Sequence, residues 1–287
     1  MGDAEELPAG LLDAAVVATR DLTRGTTSAV CTAVDLDDGR TVVVKRATDA
    51  TSLEANLIEA EVLLRLAGDH APRLLDVDDS GRLLVVEHLD GRWSPPLPDP
   101  GLLWAALDAT GAVAAPPRLR RMQRTYDPWA GATIPWWIGG PVWWRHTLPV
   151  LRDASQAARW DGTELVHGDV SAANLCVRDG TLLLVDWAEA AVGSLDWARV
   201  VGGLEWRMRG LAVDVPVPSA RLAPAVATLA GFALREYLRW GADDAEDPRT
   251  VSIRRRKTAA FAASLAWVAE LLQLDPPSFG PPPTLRP

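Results

Sequence analysis

The chain has 287 residues, 48% of them hydrophobic and 23% charged, which suits a globular protein with two lobes around one cleft. A formal net charge of −9 argues against nucleic acid and anionic membranes as partners and favours a small-molecule substrate of cationic character. Solubility alone also accounts for a modest acidic excess, and no apolar stretch reaches the roughly 18 residues of a membrane span.

In chain order, the acidic start Met1-Gly2-Asp3-Ala4-Glu5-Glu6 lacks the basic-then-apolar pattern of a signal segment, and a cytoplasmic location is expected. The run Thr23-Arg24-Gly25-Thr26-Thr27-Ser28 is small enough for close backbone approach at Gly25 and Ser28, although a plain hairpin turn would read the same. A strand over Val30–Leu36 and a turn at Asp37-Asp38-Gly39 follow. Residues 40–45 alternate like a half-buried strand ending in Lys45. Of the 29 basic residues only Lys45 and Lys257 are lysine, so a lysine at a strand end suggests a need for a compact point charge. A helix over 52–67 offers Glu54, Glu59 and Glu61 as partners for it; Glu59 and Glu61 lie about 200° apart around the helix and cannot both face the lysine. Cys31 and Cys176 make no disulfide framework and read as small core fillers.

A strand at Leu83–Glu87 ends in the polar turn His88-Leu89-Asp90-Gly91, and Pro95, Pro96, Pro98 and Pro100 then break regular structure. Helices are expected at 101–115, 142–160, 195–209, 220–240 and 250–274, ahead of a Pro-rich tail from Asp275 that is extended or frayed. Five of the 13 tryptophans (Trp129, Trp136, Trp137, Trp143 and Trp144) fall in one turn-rich stretch. They could pack the helical part or offer faces to a sugar, a base or an ammonium. Acidic residues available to an acceptor are Glu205, Asp214, Asp243, Asp244 and Glu270, besides Asp196. The basic cluster Arg254-Arg255-Arg256-Lys257 lies on a helix and reads as a solvated or interlobe face.

The richest stretch is Val166-His167-Gly168-Asp169-Val170-Ser171-Ala172-Ala173-Asn174-Leu175, followed by Val185-Asp186-Trp187. An Asp and an Asn five positions apart on one loop precede a second Asp at the tip of an apolar strand over 181–185. Phosphoryl transfer needs such a set: a carboxylate to orient the attacking hydroxyl, and an amide and a carboxylate to hold magnesium on a nucleoside triphosphate. His-Gly-Asp alone is a common turn tripeptide; Asn174 and Asp186 at this spacing make it specific.

These motifs, with Asp196-Trp197-Ala198 downstream, resemble the aminoglycoside phosphotransferase family, the small-molecule branch of the protein-kinase-like fold. The resemblance implies an α+β, bilobal protein-kinase-like fold, with an N-lobe antiparallel sheet and one helix and a mostly helical C-lobe. It implies a nucleotide-binding lobe over 1–90 that ends in a hinge, a helical lobe over 91–274 carrying the catalytic loop and substrate site, and a tail over 275–287. Asp169 would be the catalytic carboxylate, Asn174 and Asp186 the magnesium ligands, and Asp196 a structural brace of the catalytic loop. Lys45 would contact the α- and β-phosphates, with Glu59 its partner by the family spacing to Leu66 and Gly68. Gly25 and Ser28 would cover the triphosphate, and the backbone of Glu87 and Leu89 would bind the base of ATP or GTP. The implied function is transfer of a γ-phosphoryl group to a hydroxyl of an antibiotic, an aminoglycoside or another amino- or hydroxyl-rich compound, by a monomer or homodimer. A metabolite kinase of sugar, choline or homoserine type and a nucleotide-binding pseudoenzyme are the alternatives. A protein kinase is disfavoured: no Ala-Pro-Glu follows Asp186, and Gly168 replaces the usual arginine.

Overall fold

Short segments rich in β-branched residues build the N-terminal half, and the computed structural model describes residues 10–22, 29–123, 127–131, 133–135, 137–241 and 247–279. Gly25 and Ser28 lie outside the described residues. The chain packs as two compact units: residues 1–120 with 164–192, and residues 121–163 with 193–287.

In the first unit, β1 (Gly10–Leu11), β2 (Ala14–Asp21), β3 (Val30–Leu36), β4 (Thr41–Arg46), β5 (Leu74–Val77) and β6 (Leu83–Glu87) form one antiparallel sheet in the order β1-β2-β3-β4-β6-β5. The alternation in β3 and β4 sends Val34, Leu36, Val42 and Val44 to one face, where they join Ala14 and Val85 in a buried cluster. The opposite face carries Lys45, which is paired in register with Cys31 on β3 and Leu84 on β6. Helix α1 (Ala50–Leu66) begins in a reciprocal cap between Asp49 and Ser52 and stops at Ala67, in left-handed conformation, and Gly68. Its buried side includes Asn56, Glu59, Ala60, Leu63 and Leu66, whereas Leu64 faces solvent. Buried Asn56 donates to the carbonyls of Lys45 (3.3 Å) and Gly81 (3.1 Å), tying the helix to the end of β4.

The rest of the unit comprises β7 (Arg92–Trp93), α2 (Pro100–Gly111), β8 (Glu164–Val166), β9 (Leu175–Arg178) and β10 (Thr181–Leu184). Strands β9 and β10 form a hairpin closed by Asp179-Gly180, both at positive φ (51° and 78°), the twist-matched turn for two-residue connections. β7 adds to the outer side of β9.

The second unit is helical: α3 (Gly140–Gln156), α4 (Leu195–Arg207), α5 (Ser219–Gly241) and α6 (Pro248–Leu271). These match the four helices expected after residue 140 to within four residues at each end. α5 packs along α6 and against α3, around Leu151, Val226, Leu234, Phe261, Leu265 and Trp267. The Trp-rich stretch is largely part of this packing. Trp129, Trp137 and Trp144 are buried, and their indole N–H groups reach the Ala227 carbonyl, the Tyr237 hydroxyl and the Ile138 carbonyl. Trp143, half-buried, donates to the Asp275 carbonyl at 2.8 Å; Trp136 lies outside the described residues. The tail is held at its start, Gly139 donating to Ser278 and Ile138 bridging Phe279. Asp196 pairs with Arg199 and Arg221, buried Glu205 with Arg209 and Arg256, and Glu270 with Arg207. The basic run on α6 is thus partly engaged inside its own unit, Lys257 pairing with Glu236. No helix among the described residues is long and apolar enough to cross a membrane.

Phe261 is fully buried and stacks on Tyr237, so Phe261→Ala is expected to cost about 3–5 kcal/mol. Leu64→Ala on the open face of α1 should stay within about 0.5 kcal/mol, both read from urea unfolding curves.

Candidate active site

A lysine at the end of a strand, on the face opposite the apolar cluster, must find counter-charge or shed its proton. Lys45 finds two carboxylates: Glu59 Oε2 at 2.7 Å from α1 and Asp186 Oδ1 at 2.9 Å from the turn after β10. Glu59 is 2% exposed in its side chain and also accepts the backbone N–H of Trp187, so α1 is fastened to the residue that follows Asp186. Burial works against the ammonium, but Glu59 and Asp186 outweigh it and raise the Lys45 pKa well above the ordinary lysine value. Burial likewise opposes ionisation of Asp186; the Lys45 charge and hydrogen bond override it and hold Asp186 below the usual carboxylate range. Glu61, the competitor on α1, pairs instead with Arg118 at 3.2 Å.

The hairpin explains how residues twelve positions apart meet. Its last pair is Leu175 with Leu184, and beyond it the Val185 N–H donates to the Asn174 carbonyl at 3.0 Å. Asn174 and Asp186 are therefore neighbours at the open end. Asp186 turns the chain through the left-handed region (φ 66°), which aspartate tolerates better than most residues. Asn174 is buried, and its amide donates to the carbonyl (3.0 Å) and the Oδ2 (3.1 Å) of Asp169. Asp169 itself is exposed at the tip of its loop.

His167 is fully buried between these pieces. The Val185 carbonyl can only accept, so Nε2 carries the proton and donates to it at 2.8 Å, leaving Nδ1 to accept the Asp169 N–H at 3.3 Å. Burial keeps the ring neutral by lowering its pKa, against the pull of Asp169. The ring packs on Trp187 (centroids 4.5 Å apart), whose indole N–H donates to Leu184. Gly168 sits at φ 82°, and a Cβ there would run into the Glu189 carbonyl. The sequence presented His167 and Gly168 only as part of a turn tripeptide; their roles as brace and close-approach point follow from tertiary contacts.

The structure thus brings Lys45, Glu59, Asp169, Asn174 and Asp186 together within the first unit. Glu87 closes β6, its N–H donating to the Arg73 carbonyl, and Leu89 is buried against Cys176 and Leu183. Among the described residues no cluster of three His, Cys, Asp or Glu side chains could hold a metal by itself. The Asn174 side-chain amide oxygen and the Asp186 carboxylate are hard oxygen donors, which fits magnesium, an ion that takes one or two carboxylates and completes its shell with phosphates and water.

Two consequences are measurable. Gly168→Ala should drive the chain off the Glu189 carbonyl and displace Asp169, lowering activity at least about tenfold even where the fold survives. Because the folded-state His167 pKa is depressed, its contribution to stability is full above the unfolded value of about 6.5 and is lost as pH falls below it toward the folded pKa. Unfolding free energy measured from pH 7.5 to 5 should therefore decline more steeply in the native protein than in His167→Gln.

Residues 32–198 match the model of the phosphotransferase enzyme family, APH. No match was found among curated protein sequences. Among solved structures, the chain is similar to a choline/ethanolamine kinase family protein from Mesorhizobium loti (15% identity, TM-score 0.56, covering 88% of this chain and 92% of that one). It is also similar to the macrolide 2′-phosphotransferase of Brachybacterium faecium (17% identity, TM-score 0.54, 86% and 94%). A third likeness is to a thermostable mutant of aminoglycoside phosphotransferase APH(4)-Ia in a ternary complex with ADP and hygromycin B (16% identity, TM-score 0.53, 87% and 95%). At such identities the structures establish the protein-kinase-like fold, while the family match, spanning more than half of the chain, establishes membership: the chain belongs to the phosphotransferase enzyme family and is an enzyme with an alcohol group as acceptor.

Proposed function

We propose that this phosphotransferase moves the γ-phosphoryl group of ATP or GTP, with magnesium, to a hydroxyl of an antibiotic or a related amino- or hydroxyl-rich small molecule. The observation that carries the reading is the convergence of Glu59 (2.7 Å) and Asp186 (2.9 Å) on the Lys45 ammonium, beside an Asn174 clasped to Asp169. A binding module would not need a catalytic-loop carboxylate held in this way, and the complete set speaks against a pseudoenzyme.

In this reading Lys45 contacts the phosphates, and Glu59 fixes its position from the buried side. The backbone of Glu87 and Leu89 binds the base edge. Asn174 and Asp186 would hold magnesium, which neutralises charge on the phosphates. Asn174 also keeps one Asp169 oxygen engaged, leaving the other for the acceptor hydroxyl, whose proton Asp169 takes as the hydroxyl attacks. Neutral His167 holds the Asp169 backbone without adding a charge. Catalysis then consists of positioning and charge neutralisation. The family neighbours include choline kinase-like as well as antibiotic-modifying proteins, so acceptor class is decided by assay.

Asp169→Asn is expected to lower kcat by at least about 10²-fold with ADP affinity and unfolding midpoint near native values. Asp186→Ala should abolish magnesium-dependent ADP binding. Turnover is followed as ADP or GDP release over a panel of aminoglycosides, macrolides, amino sugars and choline, with Asp169→Asn as the blank. Activity of Asp169→Asn equal to the native enzyme would overturn the assignment.

A further inference from the structure

The segment over 87–93 is clipped to the β9–β10 hairpin at several points in succession. The Glu87 carboxylate, 14% exposed, accepts Arg178 Nη1 from the end of β9 at 2.6 Å. The same carboxylate accepts the backbone N–H (3.1 Å) and Nε (3.4 Å) of Arg73. Two residues on, Leu89 fills a buried niche formed by Cys176 and Leu183, with Val185 against it. At Gly91 a Cβ would lie 2.7 Å from Cys176 Sγ and 2.8 Å from the Val177 carbonyl oxygen, so only glycine allows this approach. Arg92 and Trp93 then pair with Val177 and Cys176. The hairpin so gripped is the one whose open end carries Asn174 and leads into Asp186.

We propose that Arg178 is a positioning residue: through its ion pair with Glu87 it locks the base-binding segment to the hairpin that carries Asn174 and Asp186, so that one rigid piece recognises both ends of the nucleotide. The proposal rests on the base-binding role given above to Glu87 and Leu89. A long, permanently charged side chain suits the task because it reaches Glu87 Oε1 from β9 through a single Nη1 contact, and the pair is shielded enough to hold it. Burial would push the Glu87 carboxyl up, but the hydrogen bonds from Arg178 and Arg73 hold it below the ordinary glutamate value, so the carboxylate is charged at neutral pH.

The test needs no acceptor. Calorimetry with magnesium compares ADP, which has a base, with inorganic tripolyphosphate, which has none, on the native chain, Arg178→Met, Arg178→Lys, Glu87→Gln and the Arg178→Met/Glu87→Gln double variant. Arg178→Met and Glu87→Gln should each weaken ADP about five- to tenfold while leaving tripolyphosphate within about twofold. The double variant should be no weaker than Glu87→Gln alone, because Arg178→Met removes a pair that Glu87→Gln has already broken, and Arg178→Lys should recover most of the affinity. ADP binding unchanged in Arg178→Met, equal losses for both ligands, or additive losses in the double variant would each overturn the latch. A native chain that binds ADP no better than tripolyphosphate would instead sink the base-binding assignment itself.

Discussion

A single buried cation organises the first unit. Lys45 gives up solvent at the end of β4, and a desolvated ammonium is tolerable only where counter-charge and hydrogen bonds replace water. Glu59 and Asp186 supply both, from a helix and from a turn more than a hundred residues later in the chain. That one ammonium therefore specifies where α1 sits against the sheet and where the end of β10 sits against α1. Removal of Lys45 would leave Glu59 and Asp186 without counter-charge in a shielded place, the expensive way to break a buried ion cluster. Under the proposed function the same arrangement is useful, since a cation fixed from two sides would need no reorganisation when phosphate oxygens approach.

Neutral groups then extend the order that the charges begin. His167 takes no charge, and for that reason it can be buried at the crossing of two backbone segments and hold both, donating to Val185 and accepting from Asp169. Trp187 covers the ring and ties its indole to Leu184, while its backbone N–H goes to Glu59. The aspartate that faces outward is thereby held by groups that face inward. The hairpin turn contributes equally: Asp179-Gly180 sets the register of β9 against β10, and that register decides that Asn174 meets Val185 and not a residue one step away, which would point every side chain to the wrong face.

Much of this was legible in the sequence, for identifiable reasons. Strand Val30–Leu36, strand Leu83–Glu87 and α6 carry apolar patterns uninterrupted by glycine or proline at their cores, and α3, α4 and α5 keep theirs across Pro149, Gly202-Gly203 and Pro224, so such patterns survive into the fold. Lys45 stood out by rarity, and Glu59 was separable from Glu61 by helical angle together with family spacing. What could not be read was tertiary in origin. Nothing local in Arg178 distinguishes it from the other arginines; its partner lies 91 positions away and only strand pairing brings them together. Likewise Leu64 belongs to the apolar pattern of α1 yet faces water, since the helix covers the sheet with a narrower stripe than its leucines suggest. The compact units also join residues 164–192 to the N-terminal sheet, where the Lys45–Asp186 and Glu87–Arg178 pairs tie the two together, a grouping that no Pro-rich stretch announces.

Acceptor recognition is governed by different physics. A net charge of −9 invites the thought of an amine-bearing substrate, but an ammonium is recognised by individual carboxylates with charge to spare, and total charge is a poor guide to those. In the second unit Asp196, Glu205 and Glu270 already face arginines, and Glu205 is buried as well. Their fields are largely cancelled at short range, so an approaching cation would gain little from them and would have to displace a guanidinium to gain more. The four described indoles of the Trp-rich stretch have likewise given their N–H groups to partners within the unit, which leaves ring faces and edges as what they can offer. The acidic excess is then explained by solubility, and total charge carries no information about the acceptor.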